Sequence, residues 1–122
     1  MKNFFMKHAL FIISFLMTQS VIAQSTDSKI DSVRQAELLH FLKHDCGSCH
    51  GMTLKGGLGP ALLPEILSAK PTDFLVTTIL EGRLNTAMPP WKSMLSYDDA
   101  LWITEKLQSG QTGLTKPSNE KP

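Results

Sequence analysis

The two cysteines of this 122-residue chain are Cys46 and Cys49, and His50 follows them directly. A C-x-x-C-H segment of this kind is compatible with a redox dithiol, with part of a zinc site, or with covalent attachment of haem. A local disulfide is the plainest use of such a pair in an exported protein. It would close too short a loop to constrain the unfolded chain much. Whichever chemistry applies decides what the remaining residues fold around.

The residues around this segment favour haem attachment. A thioredoxin-like dithiol lies at a helix start after a strand, and the sequence has no alternating strand pattern. Structural zinc needs four ligands in a closed tetrahedron, whereas the segment offers three, two of them adjacent. Haem attachment uses both cysteines and the histidine of the segment, because the two thiols add to the two vinyl groups of one haem and the imidazole binds its iron. The sequence therefore predicts one covalent haem c on Cys46 and Cys49, with His50 as an axial ligand.

The N-terminus has the pattern of a secretory signal peptide. Lys2 and Lys7 precede a short apolar core over residues 9–17, and Val21-Ile22-Ala23 ends in a small residue. This core is about half of the roughly 20 residues that a membrane span requires. We expect export to the periplasm, cleavage after Ala23 and no permanent membrane anchor. An uncleaved amphipathic anchor is the alternative.

The remainder of the chain predicts an all-α domain without repeats. Residues 24–28 form a polar lead-in, residues 29–108 the folded domain, and residues 109–122 a disordered tail with little to bury. The cysteine segment from Gly47 onward and the glycine-rich residues 51–59 are expected to be loop. Helices are expected over residues 29–45, 71–82 with Gly82 as the stop, and 96–108 with a Ser96–Asp99 capping box. A short helical turn is expected around residues 61–67, with Pro64 limiting its length.

Two predicted loops, residues 47–60 and 82–95, are long for so small a domain. About 80 ordered residues also build only a marginal core, and such domains often need a covalent or metal staple. Both features are explained if the loops wrap an apolar group that the chain itself does not supply.

Over residues 30–108 the chain resembles a small class I cytochrome c. The resemblance rests on three segments: Cys46-Gly47-Ser48-Cys49-His50-Gly51, Gly59-Pro60-Ala61-Leu62 and Met88-Pro89-Pro90. It implies about four short helices and long loops around one covalently bound haem. It also implies that the carbonyl of Pro60 accepts a hydrogen bond from the Nδ1–H of His50, which orients the ring and raises its basicity.

A low-spin iron carrier needs a second axial ligand. Five side chains are candidates: His40, His44, Met52, Met88 and Met94. The histidines are tethered near the proximal side, Met52 is too close to His50, and Met94 lies in a polar stretch. Met88 follows His50 by 38 residues (88 − 50) in a loop stiffened by two prolines, which lowers the ordering cost of presenting its sulfur. We therefore predict Met88 as the ligand and expect Leu62 and Trp91 to line the haem pocket.

Two filled axial positions leave no open position for substrate, so the sequence predicts an electron carrier rather than an enzyme. Docking of a redox partner is expected to use a small apolar patch and scattered charges, with Lys55 and Lys92 as candidates; a plain solvated surface is the alternative for both lysines. A haem sensor with a labile methionine ligand is the alternative. A formal net charge of +1 gives no reason to expect a nucleic-acid partner.

The finer resemblance is to the cytochrome c-55X type found with denitrification nitrite reductases. It rests on "CGSCHGMTLKGGLGPAL", on "EGRLNTAMPPW" and on the S-Y-D-D start of the last helix. It implies a periplasmic protein that donates electrons to cytochrome cd1 nitrite reductase. We expect the protein to be a monomer. The alternative role is that of an assembly factor in the maturation of the d1 haem of that reductase.

Overall fold

The computed structural model describes residues 30–114. The predicted signal peptide, the polar lead-in and residues 115–122 of the predicted tail lie outside the described residues. Within residues 30–114 the secondary structure is helical and contains no strand, which confirms the all-α prediction. The elements are α1 (Ser32–Phe41), a π-helical turn (Leu42–Cys46), α2 (Gly47–His50), α3 (Pro64–Leu67), α4 (Thr72–Glu81) and α5 (Tyr97–Ser109).

The helix that begins after Asp31 continues further than the sequence predicted. The Asp31 carboxylate accepts hydrogen bonds from the N–H groups of Val33 and Arg34 and so caps α1. α1 then runs through the π-helical turn into α2. The prediction that loop begins at Gly47 is wrong, because Gly47 keeps right-handed helical backbone angles. The helix ends at Gly51, whose φ of +86° is one that glycine adopts without strain.

The later helices lie where the sequence predicts them, except that α3 begins at Pro64 rather than near residue 61. Pro64 was expected to limit a helix over residues 61–67, but it lies in the first turn of α3, where a missing N–H costs nothing. α4 ends at Gly82 as predicted. α5 begins with the predicted capping box, in which the Ser96 and Asp99 side chains each accept from the other residue's backbone N–H.

The apolar core lies where α1, α3 and α4 meet α5. Its buried members are Ile30, Leu38, Leu42, Leu54, Leu67, Val76, Leu95, Ala100, Trp102, Ile103 and Leu107. Leu114 packs against this cluster and Thr112 is buried, so the packed segment extends past residue 108, where the predicted tail begins. None of the helices within residues 30–114 has the length and the apolar character needed to cross a membrane.

A bidentate ion pair joins α1 to the start of α5. Arg34 donates from Nε to Oδ1 of Asp99 at 3.1 Å and from Nη2 to Oδ2 at 2.9 Å. Asp99 is only 7% exposed, and its carboxylate also accepts from the N–H of Ser96. The hydrogen bonds from Arg34 are the main reason that the pKa of Asp99 falls from 3.8 to about 2.

Because of the Arg34–Asp99 ion pair, we expect the folded protein to lose stability at low pH. Because the folded protein holds Asp99 ionised, the stabilisation is complete above pH 3.8 and is lost as the pH falls toward 2. We expect Arg34→Met to lower the free energy of unfolding at neutral pH by about 2 kcal/mol. The variant should also lose less stability than the wild type between those two pH values. Denaturant unfolding of the holoprotein across this range measures both effects.

Glu37→Gln is the matched control, because it removes only the exposed Arg34–Glu37 bridge of 2.8 Å. Its free energy of unfolding should stay within about 0.5 kcal/mol of the wild type. An acid profile of Arg34→Met that coincides with the wild-type profile would show that the ion pair does not govern acid stability.

Candidate functional site

The two cysteines lie on the continuous helix, Cys46 at the end of the π-helical turn and Cys49 in α2. Both are partly buried and neither forms a disulfide. Burial raises the pKa of the Cys46 thiol to about 12, and the neighbouring charge of Asp45 adds to the shift. A redox dithiol needs an accessible thiolate at neutral pH. The burial of Cys46 opposes this.

Within residues 30–114 no three side chains of His, Cys, Asp or Glu come together as a metal-binding group. A structural zinc site on Cys46, Cys49 and His50 would need such a group and a fourth ligand. The zinc interpretation therefore lacks its ligands in this part of the chain.

The imidazole of His50 is oriented by the backbone of the following loop. Its Nδ1 lies 2.6 Å from the carbonyl oxygen of Pro60, which is the hydrogen bond that the resemblance implied. Since a carbonyl only accepts, Nδ1 carries the proton and donates. The Nε2 atom then keeps its lone pair and is available to bind a metal ion.

The glycine-rich loop closes tightly over the end of α2. Gly56 donates its N–H to the carbonyl of His50 at 2.8 Å, and Gly59 donates to the carbonyl of Cys49 at 2.9 Å. A Cβ atom at Gly57 would lie 2.7 Å from the Cys49 carbonyl oxygen, and one at Gly59 would lie 2.7 Å from Cε1 of His50. The absence of side chains at these two positions lets the loop touch both the backbone and the imidazole.

The contact between Gly59 and His50 makes Gly59→Ala a test of how the ring is held. The added methyl group must displace the imidazole or the loop, and we expect a loss of about 1–3 kcal/mol in the free energy of unfolding. The absorption spectrum of the oxidised holoprotein should change as well, because the displaced His50 imidazole would bind the iron at a different angle. Denaturant titration and visible spectroscopy give the two readouts.

Gly47→Ala provides the control inside the same segment. Its Cβ would lie 3.4 Å from the nearest atom, Sδ of Met52, and alanine is the better helix former by up to about 1 kcal/mol. This variant should match or slightly exceed wild-type stability with an unchanged spectrum. If Gly59→Ala behaves in the same way as Gly47→Ala, the glycine is not what positions His50.

The loop that carries Met88 is docked on the C-terminal end of α4. Trp91 donates its N–H to the carbonyl of Ile79, and Lys92 donates to the carbonyl of Leu80, each at 3.2 Å. These carbonyls lie in the last turn of a helix, where backbone acceptors otherwise have no partner within the helix. A salt bridge of 2.7 Å from Lys92 to Glu81 adds a further contact. The loop is therefore attached to a regular element at several points.

Met88 itself is held by backbone contacts. The N–H of Arg83 donates to the Met88 carbonyl at 3.2 Å. Gly82 has a φ of +68°, and a Cβ there would lie 2.7 Å from the carbonyl carbon of Pro89 and from the nitrogen of Pro90. Gly82 thus both ends α4 and allows the prolines to pack against its backbone. The Met88 side chain remains half-buried.

Apolar side chains link this loop to the helix that bears the cysteines. Trp91 meets Phe41 of α1 edge to face, with ring centres 5.0 Å apart. Leu62 is held by its N–H, which donates to the carbonyl of Leu54 at 2.9 Å. Several large apolar residues are only partly buried against the core: Leu39, Phe41, Leu62, Leu75, Ile79, Leu80 and Trp91.

These residues fit a covalently bound haem. Two cysteines and a histidine with a free Nε2 lie on one rigid helix, and a methionine lies on a docked loop. The half-buried apolar side chains, including Leu62 and Trp91, can complete their burial against a porphyrin. Of the other candidate ligands, His40 and His44 contact each other, and Met94 is 58% exposed.

Sequence reasoning missed two features of this site. The contact of Gly59 with the imidazole could have been suspected from the glycine run, which needs close approach of backbone to another group. The docking of the Met88 loop uses backbone N–H groups of Trp91 and Lys92, and such bonds leave no signature in residue type. Lys92, considered as a candidate for partner docking, is already paired with Glu81.

Residues 34–105 match the family described as "Cytochrome C oxidase, cbb3-type, subunit III". Cytochrome c55X of Pseudomonas aeruginosa is 49% identical over 104 residues, which cover 85% of this chain and 87% of the relative. Cytochrome c55X of Stutzerimonas stutzeri is 43% identical, over 80% of this chain and 82% of the relative.

A solved structure described as "c-type cytochrome NirC" has a similar fold, with a TM-score of 0.67. It is 55% identical to this chain, and the match covers 68% of this chain and 98% of the solved one. The family match over residues 34–105 spans the cysteine segment, the glycine-rich loop and the Met88 loop together.

Proposed function

The chain belongs to the cytochrome c55X family of c-type cytochromes, and on this premise we propose that it is a periplasmic electron carrier that donates single electrons to cytochrome cd1 nitrite reductase. Haem c is the covalent cofactor of such proteins, and when bound it supplies an iron centre that takes up and releases one electron. We assign its attachment to Cys46 and Cys49, and its axial ligands to His50 and Met88.

The observation that carries the proposal is the docking of the Met88 loop on α4. A carrier must keep both axial ligands in either oxidation state, which requires that each ligand be supported by a rigid element. His50 has the Pro60 carbonyl and the Gly59 backbone, and the Met88 loop has the last carbonyls of α4 and the packing of Gly82. This support argues against a labile methionine and hence against the sensor alternative.

Exposed leucines next to both ligand loops support a role in transient docking. Leu58 is 78% exposed one residue before Gly59, and Leu84 is 93% exposed four residues before Met88. Single exposed leucines are common, but each of these two lies on a loop that supports a proposed iron ligand, where an apolar side chain suits a small contact with a partner. Lys55, exposed three residues before Leu58, adds a positive charge to the glycine-rich loop.

The donor role is tested by mixing the reduced holoprotein with purified cytochrome cd1 nitrite reductase and nitrite. We expect rapid reoxidation of the holoprotein. Without nitrite, the reoxidation should stop once the reductase is fully reduced. Leu84→Gln should slow the reaction at low protein concentration and leave the reduction potential unchanged. Reoxidation no faster than in the absence of the reductase would contradict the donor role.

Deletion of the gene separates the donor from the assembly factor. A missing donor leaves a reductase that contains d1 haem and still reacts with artificial electron donors. A missing assembly factor leaves a reductase without d1 haem, and that result would replace the proposal by its alternative.

A further inference from the structure

Two histidines outside the haem site lie against each other on the helix that leads to the cysteines. The sequence contains four histidines: His8, His40, His44 and His50. His50 is the proposed iron ligand, and His8 lies in the predicted signal peptide. His40 and His44 are both exposed, and their ring centres are 4.3 Å apart with a tilt of 37° between the ring planes.

This spacing matches that of two imidazoles bound to one metal ion. A metal–nitrogen bond of about 2.0–2.1 Å places the ring centre about 3.2 Å from the ion. Two such rings at the right angle of a square-planar site then have centres about 4.5 Å apart. The observed separation is within a few tenths of an ångström of this value. His40 and His44 are four residues apart, a spacing that places two side chains on the same face of a helix, and both are exposed.

One member of the pair, His40, lines a groove of about 190 Å³ together with Arg34, Glu37 and Asp45. Arg34 forms ion pairs with Glu37 and with Asp99, so the charge of Glu37 is balanced and the negative charge near His40 comes from Asp45. Carboxylates near the imidazoles favour a cation, either through water or through the local potential.

We propose that His40 and His44 chelate one divalent first-row transition-metal ion, with copper(II) bound most tightly. Neutral imidazole is a good ligand for copper, nickel and zinc, and affinity rises along the series to copper. Two protein nitrogens leave positions that water fills, so this is an open surface site. The site is independent of the proposed electron-carrier function.

The metal would also act on the structure of the helix. The pair spans the junction at which α1 ends with Phe41 and the π-helical turn begins with Leu42. An ion that binds both rings in the folded helix, and not in the unfolded chain, stabilises the protein by linkage. The same turn ends at Cys46, so the site lies directly before the first attachment cysteine.

Copper binding is measured by equilibrium dialysis of the untagged holoprotein against Cu²⁺, with copper and haem iron determined together by elemental analysis. The wild type should bind one copper per haem. His40→Gln and His44→Gln should each weaken binding by about tenfold or more, because the second imidazole acts as an intramolecular ligand. Lys43→Gln, which changes an exposed residue between the two histidines, should leave copper binding unchanged or stronger.

Thermal unfolding with and without Zn²⁺ gives a second readout, because zinc has no redox chemistry that could alter the haem. Zinc should raise the Tm of the wild type and of Lys43→Gln but not of either histidine variant. The proposal is overturned if the wild type binds no copper or if the histidine variants bind it as well as the wild type does. Loss of binding in only one of the two variants overturns the chelate as well.

Discussion

Met88→Ala should leave an exported, haem-containing protein whose iron has lost its thioether ligand. The oxidised form is expected to lose the weak long-wavelength absorption band that reports Fe(III)–Met bonding. Its reduction potential should fall by tens to hundreds of millivolts, within the range of about 0.8 V over which axial ligands tune haem. The physical reason is that methionine sulfur raises the potential by favouring the ferrous state. Visible spectroscopy and a redox titration measure the two effects.

Met94→Ala is the matched control, since Met94 is the other methionine that could reach the iron and is 58% exposed. We expect its spectrum and potential to equal those of the wild type. The N–H groups of Trp91 and Lys92 remain bonded to α4 in Met88→Ala, so the fold should persist while the ligand is removed. A spectrum that survives in Met88→Ala and changes in Met94→Ala would reassign the ligand.

Replacing both attachment residues, in Cys46→Ser with Cys49→Ser, should have the largest effect on the fold itself. Haem attached through two thioethers cannot dissociate, whereas in the double variant it is held only by the axial ligands and packing. The apolar residues around the site, among them Leu62 and Trp91, are only partly buried by the protein alone. Loss of the haem would return this surface to water, at roughly 25 cal/mol for each Å².

For a domain of this size the lost burial is comparable with the whole stability, which is about 5–15 kcal/mol for typical proteins. We expect the double variant to be recovered without covalent haem and to show a broad, weakly cooperative unfolding transition by circular dichroism. Ser48→Ala, between the same cysteines, removes a hydroxyl that donates to the Asp45 carbonyl and lies 3.8 Å from Sγ of Cys49, and it leaves both sulfurs in place. This control should retain haem and unfold cooperatively. A double variant as stable as Ser48→Ala would mean that the haem is not the core of the domain.

Much of this fold could be predicted because its signals are local. The capping box of Ser96 and Asp99 and the stop at Gly82 specify helix ends through a few neighbouring atoms, and both occur where the sequence indicated. The haem segment is similarly compact, since its five residues carry the whole of the attachment chemistry. The helical class and the covalent haem c therefore followed from the sequence.

What could not be predicted depends on tertiary contacts. The sequence predicted a loop from Gly47, but Gly47 keeps helical backbone angles, and the positive φ that ends the helix belongs to Gly51. Pro64 begins a helix rather than limiting one, since its place in the first turn depends on the extended Leu63 before it. The bidentate pair of Arg34 with Asp99 joins residues 65 positions apart, which no local pattern reveals.

The candidate site shows the same contrast between local signals, which the sequence reveals, and tertiary contacts, which it does not. Its donor residues could be chosen from motif and spacing, but the contacts that hold them could not. Gly59 touches the His50 ring, and the N–H groups of Trp91 and Lys92 anchor the Met88 loop. These are contacts of the backbone, and they arise only when the loops are folded onto α2 and α4.

The most direct test of the account is the intact mass of the exported protein, purified without a tag after denaturation to strip any loosely bound group. A covalent haem on Cys46 and Cys49 predicts the mass of the processed polypeptide plus one haem, with the haem remaining on the peptide that contains both cysteines after proteolysis. A mass equal to that of the bare polypeptide, from cells that attach haem to other exported proteins, would contradict it.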